Sequence, residues 1–230
     1  MKPTLKRLFT RVTGMEVKRP HPLEDLSGKL FLQYRDFTMI PERLFRDNLK
    51  LAHDFRHLDG CVVECGVWRG GMVAGLATMW KERMYYLFDS FEGLPKAREI
   101  DGAKALAWQA NKEGKAYYNN CTADIDFAER AMKMSGARHA IVKGWFDETL
   151  PKTQFESGIA LLRLDGDWYD SIMVCLVNLF PKVVAGGLVI LDDYYTWDGC
   201  SRAVHDYLSE TKSTARIHRT TEGVPYMVKL

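Results

Sequence analysis

From residue 61 onward the chain alternates short apolar runs with longer stretches in which apolar residues recur every three or four positions. CVVECG, MYYLFD, HAIVKG, IALLRLD and GGLVILDD belong to the first kind. Their near-continuous apolarity predicts strands buried on both faces. GGMVAGLATMWKE, TADIDFAERAMKMSG, SIMVCLVNLFPKVV and SRAVHDYLSE belong to the second kind and predict the helices between those strands. This alternation predicts an α/β fold, doubly wound around a mostly parallel sheet. The tail ARIHRTTEGVPYMVKL breaks the pattern. Two short runs about a turn at Glu222-Gly223 predict an antiparallel hairpin, which brings the sheet to seven strands.

Upstream, Pro41 precedes ERLFRDNLKLAHDFRHL, where Leu44, Phe45, Leu49, Ala52 and Phe55 fall at helical spacing. Residues 1–30 are polar and interrupted by Pro3, Pro20, Pro22 and Gly28, which predicts an irregular segment with room for one short helix. The expected organisation is an N-terminal extension over residues 1–40 and one α/β domain over 41–230.

Composition narrows the partners. The chain has 230 residues, 47% hydrophobic and 27% charged, with a formal net charge of +2. No broad cationic field is available for nucleic acid. No run approaches the roughly 20 apolar residues of a membrane span. The opening MKPTLKRLFTRVTG is basic with scattered apolar positions, which predicts a surface arm rather than a signal peptide. Five cysteines, an odd number without a CxxC pair, point to a reducing, cytoplasmic setting.

In an open parallel sheet the ligand lies beyond the carboxyl ends of the strands. The unusual residues fall there. In VVECGVWRGG, Gly66, Gly70 and Gly71 permit a sharp strand-to-helix turn and a close backbone approach to a ligand. Glu64 beside the first glycine would repel a pyrophosphate but suits a cationic amino acid or sulfonium. Asp89 ends the second strand, where a carboxylate accepts hydrogen bonds from ribose hydroxyls. Trp145 and Phe146 after the third strand offer a slot for an adenine ring, with a plain core role as the alternative.

Asp165, Asp192 and Asp193 end two further strands. Neighbouring strands lie about 4.8 Å apart, so these carboxylates must crowd together and require a counter-charge. A hard divalent cation, Mg2+ by preference, supplies it. An aliphatic hydroxyl acidified in this way needs a proton acceptor, and Asp167 stands on the same turn as Asp165. Other uses of such acids stay open: a D-x-D glycosyltransferase, a haloacid-dehalogenase-type phosphatase, or a non-catalytic nucleoside- or sugar-binding module. The two enzyme alternatives leave the glycine loop and Asp89 unexplained.

FTMIPERLFRDNL, VVECGVWRGG, FDSFEGLP, VKGWFDETLP, LLRLDGDWYDS, GGLVILDDY and GVPYMVKL, taken in order, resemble the macrocin O-methyltransferase (TylF-type) family. The resemblance implies a class I, Rossmann-like methyltransferase fold using S-adenosylmethionine and Mg2+. It implies a small-molecule acceptor bearing a hydroxyl, a sugar or glycosylated natural product. Carried over to this sequence, it places metal ligands at Asp165, Asp192 and Asp193, the base at Asp167, and cofactor contacts at Thr38, Met39, Glu64, Gly66, Gly70, Asp89, Ser90, Trp145, Phe146 and Asp165. Cys65, Trp168 and Asp170 depart from the usual threonine, leucine and glutamate. Residues 96–120 do not match; the family carries an acceptor lid in this position. Trp108, Tyr117 and Tyr118 suit such a cover, and an ordinary surface excursion is the alternative. The sequence leaves a homodimer open.

Overall fold

The computed structural model describes residues 21–230; the basic opening segment lies outside the described residues. Five parallel strands form the centre of the sheet: β1 (Cys61–Cys65), β2 (Met84–Asp89), β3 (Arg138–Lys143), β4 (Ile159–Leu164) and β5 (Val183–Leu191). β6 (Ile217–Arg219) and β7 (Pro225–Val228) are antiparallel, and β7 inserts between β5 and β6. The order β3-β2-β1-β4-β5-β7-β6 makes a seven-stranded sheet. The chain leaves β1 toward one edge and returns at β4 on its other side. The crevice between the carboxyl ends of β1 and β4 is therefore the switch point at which a ligand is expected.

Alternate residues of β1 face opposite layers. Cys61, Val63 and Cys65 join the core under helices α7 (Tyr169–Leu179) and α8 (Asp198–Glu210). Val62 joins the other core, with α2 (Glu42–Asp54), α3 (Gly71–Met79) and α5 (Ile125–Ser135). Asp124 caps α5 by accepting from the backbone N–H of Asp126, and Gly136 ends it in the left-handed region. A short α4 (Ala103–Ala110) lies in the 96–120 segment, and a single turn, α6 (Phe146–Thr149), follows β3. All five cysteines are free.

Three boundaries differ from the sequence expectation. The N-terminal stretch, expected to hold one short helix and to end near residue 30, carries a helix that runs on to Tyr34, α1 (Glu24–Tyr34). Leu30 and Tyr34 are buried against Phe45 and Leu49, and the Tyr34 hydroxyl lies 2.6 Å from Thr78 Oγ1. Tertiary packing thus orders a stretch whose local composition is weak. The stretch SIMVCLVNLFPKVV is not all helix: Pro181 ends the helical path, and Val183 and Val184 already belong to β5. The predicted helix GGMVAGLATMWKE stops at Met79, short of Trp80.

Candidate functional site

The floor of the site is built around Arg163, a fully buried cation one residue before the carboxyl end of β4. Glu64 and Arg163 are register partners on β1 and β4. Arg163 Nη1 donates to Glu64 Oε1 at 2.6 Å and to Asp165 Oδ2 at 2.7 Å, and Nη2 donates to Asp192 Oδ1. Burial opposes the charge on Arg163, but Asp192, Asp165 and Glu64 outweigh it and hold the group charged. Burial lifts Glu64 to about 8 against the pull of Arg163, and lifts Asp192 to about 6. The sequence reading missed Arg163. Its signal was there, an arginine inside the apolar run LLRLD, because a cation at such a place needs buried anions.

Above this floor, carboxylate oxygens of Asp165, Asp167 and Asp193 lie within 4.8 Å of one another. Strand pairing sets the approach: Asp165 N donates to Cys65 O, and Asp192 N donates to Leu164 O. Asp167 adopts φ +57° and its N–H donates to Asp193 Oδ2 at 3.2 Å. Burial and then the Asp165 charge hold Asp167 well above the usual carboxylate range. Burial and then Asp167 do the same to Asp193. This trio of hard oxygens fits a divalent cation. Asp192, predicted beside them, turns one oxygen to Arg163 and still lines the same cavity.

The cofactor side is built by the loops after β1 and β2. Asp89 Oδ2 accepts from the N–H groups of Val67 and Trp68, both at 2.7 Å, and Oδ1 accepts from Phe91 N. Asp89 therefore locks the glycine loop as well as lining the cavity. Gly66, at φ +86°, passes so near the next loop that a Cβ would lie 1.7 Å from the Asp165 carbonyl oxygen. A Cβ on Gly71 would meet Phe37 O at 2.6 Å, which brings Thr38 and Met39 beside the loop. Thr38, Met39, Glu64, Gly66 and Asp165 line one small recess, and the second oxygen of Glu64 is buried there without a partner. An unpaired buried carboxylate oxygen fits a cationic amino acid headgroup. Ser90 is buried, accepts from Glu92 N and donates to Gly93 O. Gly70, at φ +81°, starts α3 but does not line the cavity.

A cavity of about 680 Å³ connects these parts. Trp145 and Phe146 line it, and Phe146 also packs on the core. Its roof comes from residues 96–120, through Lys96, Arg98, Trp108 and Tyr118. Asp101, 2% exposed, fastens that roof: its oxygens accept from Arg98 N at 2.7 Å and from Tyr169 N at 2.8 Å. Trp108 reaches inward to Trp168 and Trp197, with ring centroids 6.0 and 5.9 Å away. Neither Trp197 nor Asp101 had been singled out from sequence, because their partners lie far along the chain.

Comparison with known proteins agrees with this architecture. The demethyldecarbamoylnovobiocin O-methyltransferase of Streptomyces niveus is 34% identical over 161 residues, 66% of this chain and 59% of that protein. The mycinamicin III 3''-O-methyltransferase of Micromonospora griseorubida is 33% identical over 156 residues, 64% of this chain and 60% of that protein. The matched stretches thus span about three fifths of these relatives' length. Among solved structures, the O-methyltransferase NovP superposes with a TM-score of 0.70 at 27% identity, over 84% of this chain and 82% of that one. The calicheamicin methyltransferase CalS11, at 20% identity and a TM-score of 0.65 over 99% and 94%, shares the fold. The fold is the Rossmann-like methyltransferase fold. Among the described residues no helix is long and apolar enough to cross a membrane. The model of the macrocin O-methyltransferase (TylF) family matches residues 35–226, and the chain belongs to that family.

Proposed function

We propose that this chain transfers a methyl group from S-adenosylmethionine to a hydroxyl of a small molecule, a sugar on a glycosylated natural product, with the help of a divalent cation. The observation that carries the reading is the meeting of Asp165, Asp167 and Asp193 at the wall of a cavity that also receives the glycine loop. The names of the relatives, O-methyltransferases of demethyldecarbamoylnovobiocin, of mycinamicin III at its 3'' position and of a rhamnosyl-tetracenomycin at its 4' position, support a glycosylated acceptor.

Glu64, Gly66, Thr38 and Met39 would receive the amino acid end of the cofactor. Asp89 and Ser90 would face its ribose, and Trp145 and Phe146 its adenine. Asp165 and Asp193 would hold the cation, with Asp192 contributing the oxygen it does not give to Arg163. When bound, the cation supplies Lewis acidity that makes a hydroxyl easier to deprotonate, and the cofactor supplies an electrophilic methyl group. Asp167 then takes the hydroxyl proton. Its carboxylate stands beside Asp165 and Asp193 at the cavity wall, within reach of a hydroxyl held there. The glycosyltransferase reading leaves the unpaired Glu64 oxygen and the glycine loop without use. A second ligand set, with Asp167 in place of Asp192, is favoured by the 4.8 Å grouping.

The test is incubation with labelled S-adenosylmethionine, Mg2+ and fractionated small molecules, read by mass spectrometry. Adenosylhomocysteine is expected to raise the melting temperature, and Mg2+ to add to the rise. No shift with either ligand sinks the methyltransferase reading. Asp167→Asn separates the ligand sets: Mg2+ binding by calorimetry survives in that variant if Asp167 is the base, and is lost if it is a ligand.

A further inference from the structure

Trp197 stands where the roof meets the carboxylate cluster. It is 8% exposed, it immediately precedes α8, and its backbone N–H donates to Asp193 O at 2.9 Å. Its indole Nε1 donates to Asp167 Oδ1 at 2.7 Å. Its ring packs edge-on against Trp168 at 5.2 Å and against Trp108 of the roof at 5.9 Å. A second tether comes from the same roof helix: Lys104 Nζ lies 4.8 Å from the Trp197 ring centre and donates to Thr196 O at 2.9 Å. The indole N–H groups of Trp108 and Trp168 are occupied elsewhere, by Ala116 O and Pro95 O. Trp197 is therefore the member of the trio whose polar atom reaches the cluster.

Asp167 needs such a restraint. It sits at φ +57°, in a region that an L-residue enters at a cost, on a short turn between β4 and α7. A carboxylate on such a turn has several side-chain orientations, and only a fixed one directs the free oxygen toward an acceptor. From this geometry we infer that Trp197 is a positioning residue for Asp167, and that the roof, seated on Trp197 through Trp108, sets the orientation of that carboxylate. This inference rests on the reading of Asp167 as the proton acceptor. Closing the roof and aligning the base then become one event, so that the carboxylate is in place when the acceptor is covered.

The experiment compares Trp197→Phe, Trp108→Ala and the double variant with the wild-type chain. Phenylalanine keeps ring packing and removes only the N–H. Trp197→Phe is expected to lower kcat about tenfold, the worth of one net hydrogen bond, with the acceptor KM within about twofold of wild type. Hydrogen exchange should quicken in peptides covering 165–171 while the melting temperature stays near wild type. Trp108→Ala should quicken exchange over 103–121 and at 165–171, with a smaller fall in kcat. Because both act through one contact, the double variant should lose little more than Trp197→Phe alone. Wild-type kcat and exchange in Trp197→Phe, or losses that multiply in the double variant, overturn the inference. A wild-type chain that transfers no methyl overturns the methyltransferase reading instead, and exchange at 165–171 still decides whether the roof and Trp197 order the Asp167 turn.

Discussion

Residues 161–167 and residues 96–121 both line the cavity, yet they are held by different forces. The first stretch is tied by strand pairing on both sides and by Arg163, a buried cation meeting three carboxylates. The second rests on edge-on and tilted contacts between aromatic rings, on the two hydrogen bonds of Asp101, and on a latch in which Gln109 bonds Pro95 O, Ala97 N and Asn120. It also contains Tyr118, Asn119, Asn120 and Cys121 in succession with φ between 47° and 60°. The lesson is a division of tasks. Groups that must not move are fixed by charge in a dry interior, and the part that must admit a substrate is fixed by contacts that can be broken singly.

The sharpest attack on this contrast is Arg163→Met. It leaves Glu64, Asp165 and Asp192 crowded without their cation, so stability in urea should fall by about 3–5 kcal/mol. A fall under 1 kcal/mol would mean that the floor does not depend on the ion cluster. Gly66→Ala comes next. A methyl group aimed at the Asp165 carbonyl, at a positive φ, should cost about 2–4 kcal/mol and weaken adenosylhomocysteine binding in calorimetry. Unchanged affinity would show that the two loops can part without harm.

Asp101→Ala strikes the roof. Two backbone N–H groups lose their acceptor, at about 1–3 kcal/mol, and proteolysis should cut within 111–117 while the rest of the chain resists. Cleavage spread over the whole chain would contradict a locally held roof. Arg98→Ala is the mildest. Its pair with Asp170 is exposed on both sides, so the melting temperature should hold, corresponding to less than about 1 kcal/mol. A large shift would show that charge secures the roof as it does the floor.

Several features were legible in the sequence because they depend on neighbours in the chain. The runs CVVEC and IALLRL become strands because they are apolar enough to be covered on both faces. Asp165 and Asp192 stand at strand ends because each run ends there. The positive φ of Gly66 and Gly70 answers to glycines that could be read directly. What was not legible depended on residues far apart. The place and length of the short N-terminal helix, Glu24–Tyr34, are set by its packing on α2 and α3, which its own composition does not announce. The double task of Asp89, cavity wall and lock on the glycine loop, needed the loop after β1 to be placed beside β2.

The sequence by itself determined the doubly wound sheet, the edge at which ligands bind and the acidic residues gathered there, since periodicity and strand-end position are local properties. Tertiary structure decided how those acids are shared out. Arg163, 99 residues from Glu64 and 29 from Asp192, draws one set inward, while the indole of Trp197, 30 residues from Asp167, holds another at the cavity wall. The physical reason is that a charge's partner is chosen by distance in space, and only folding brings those groups within a few ångströms.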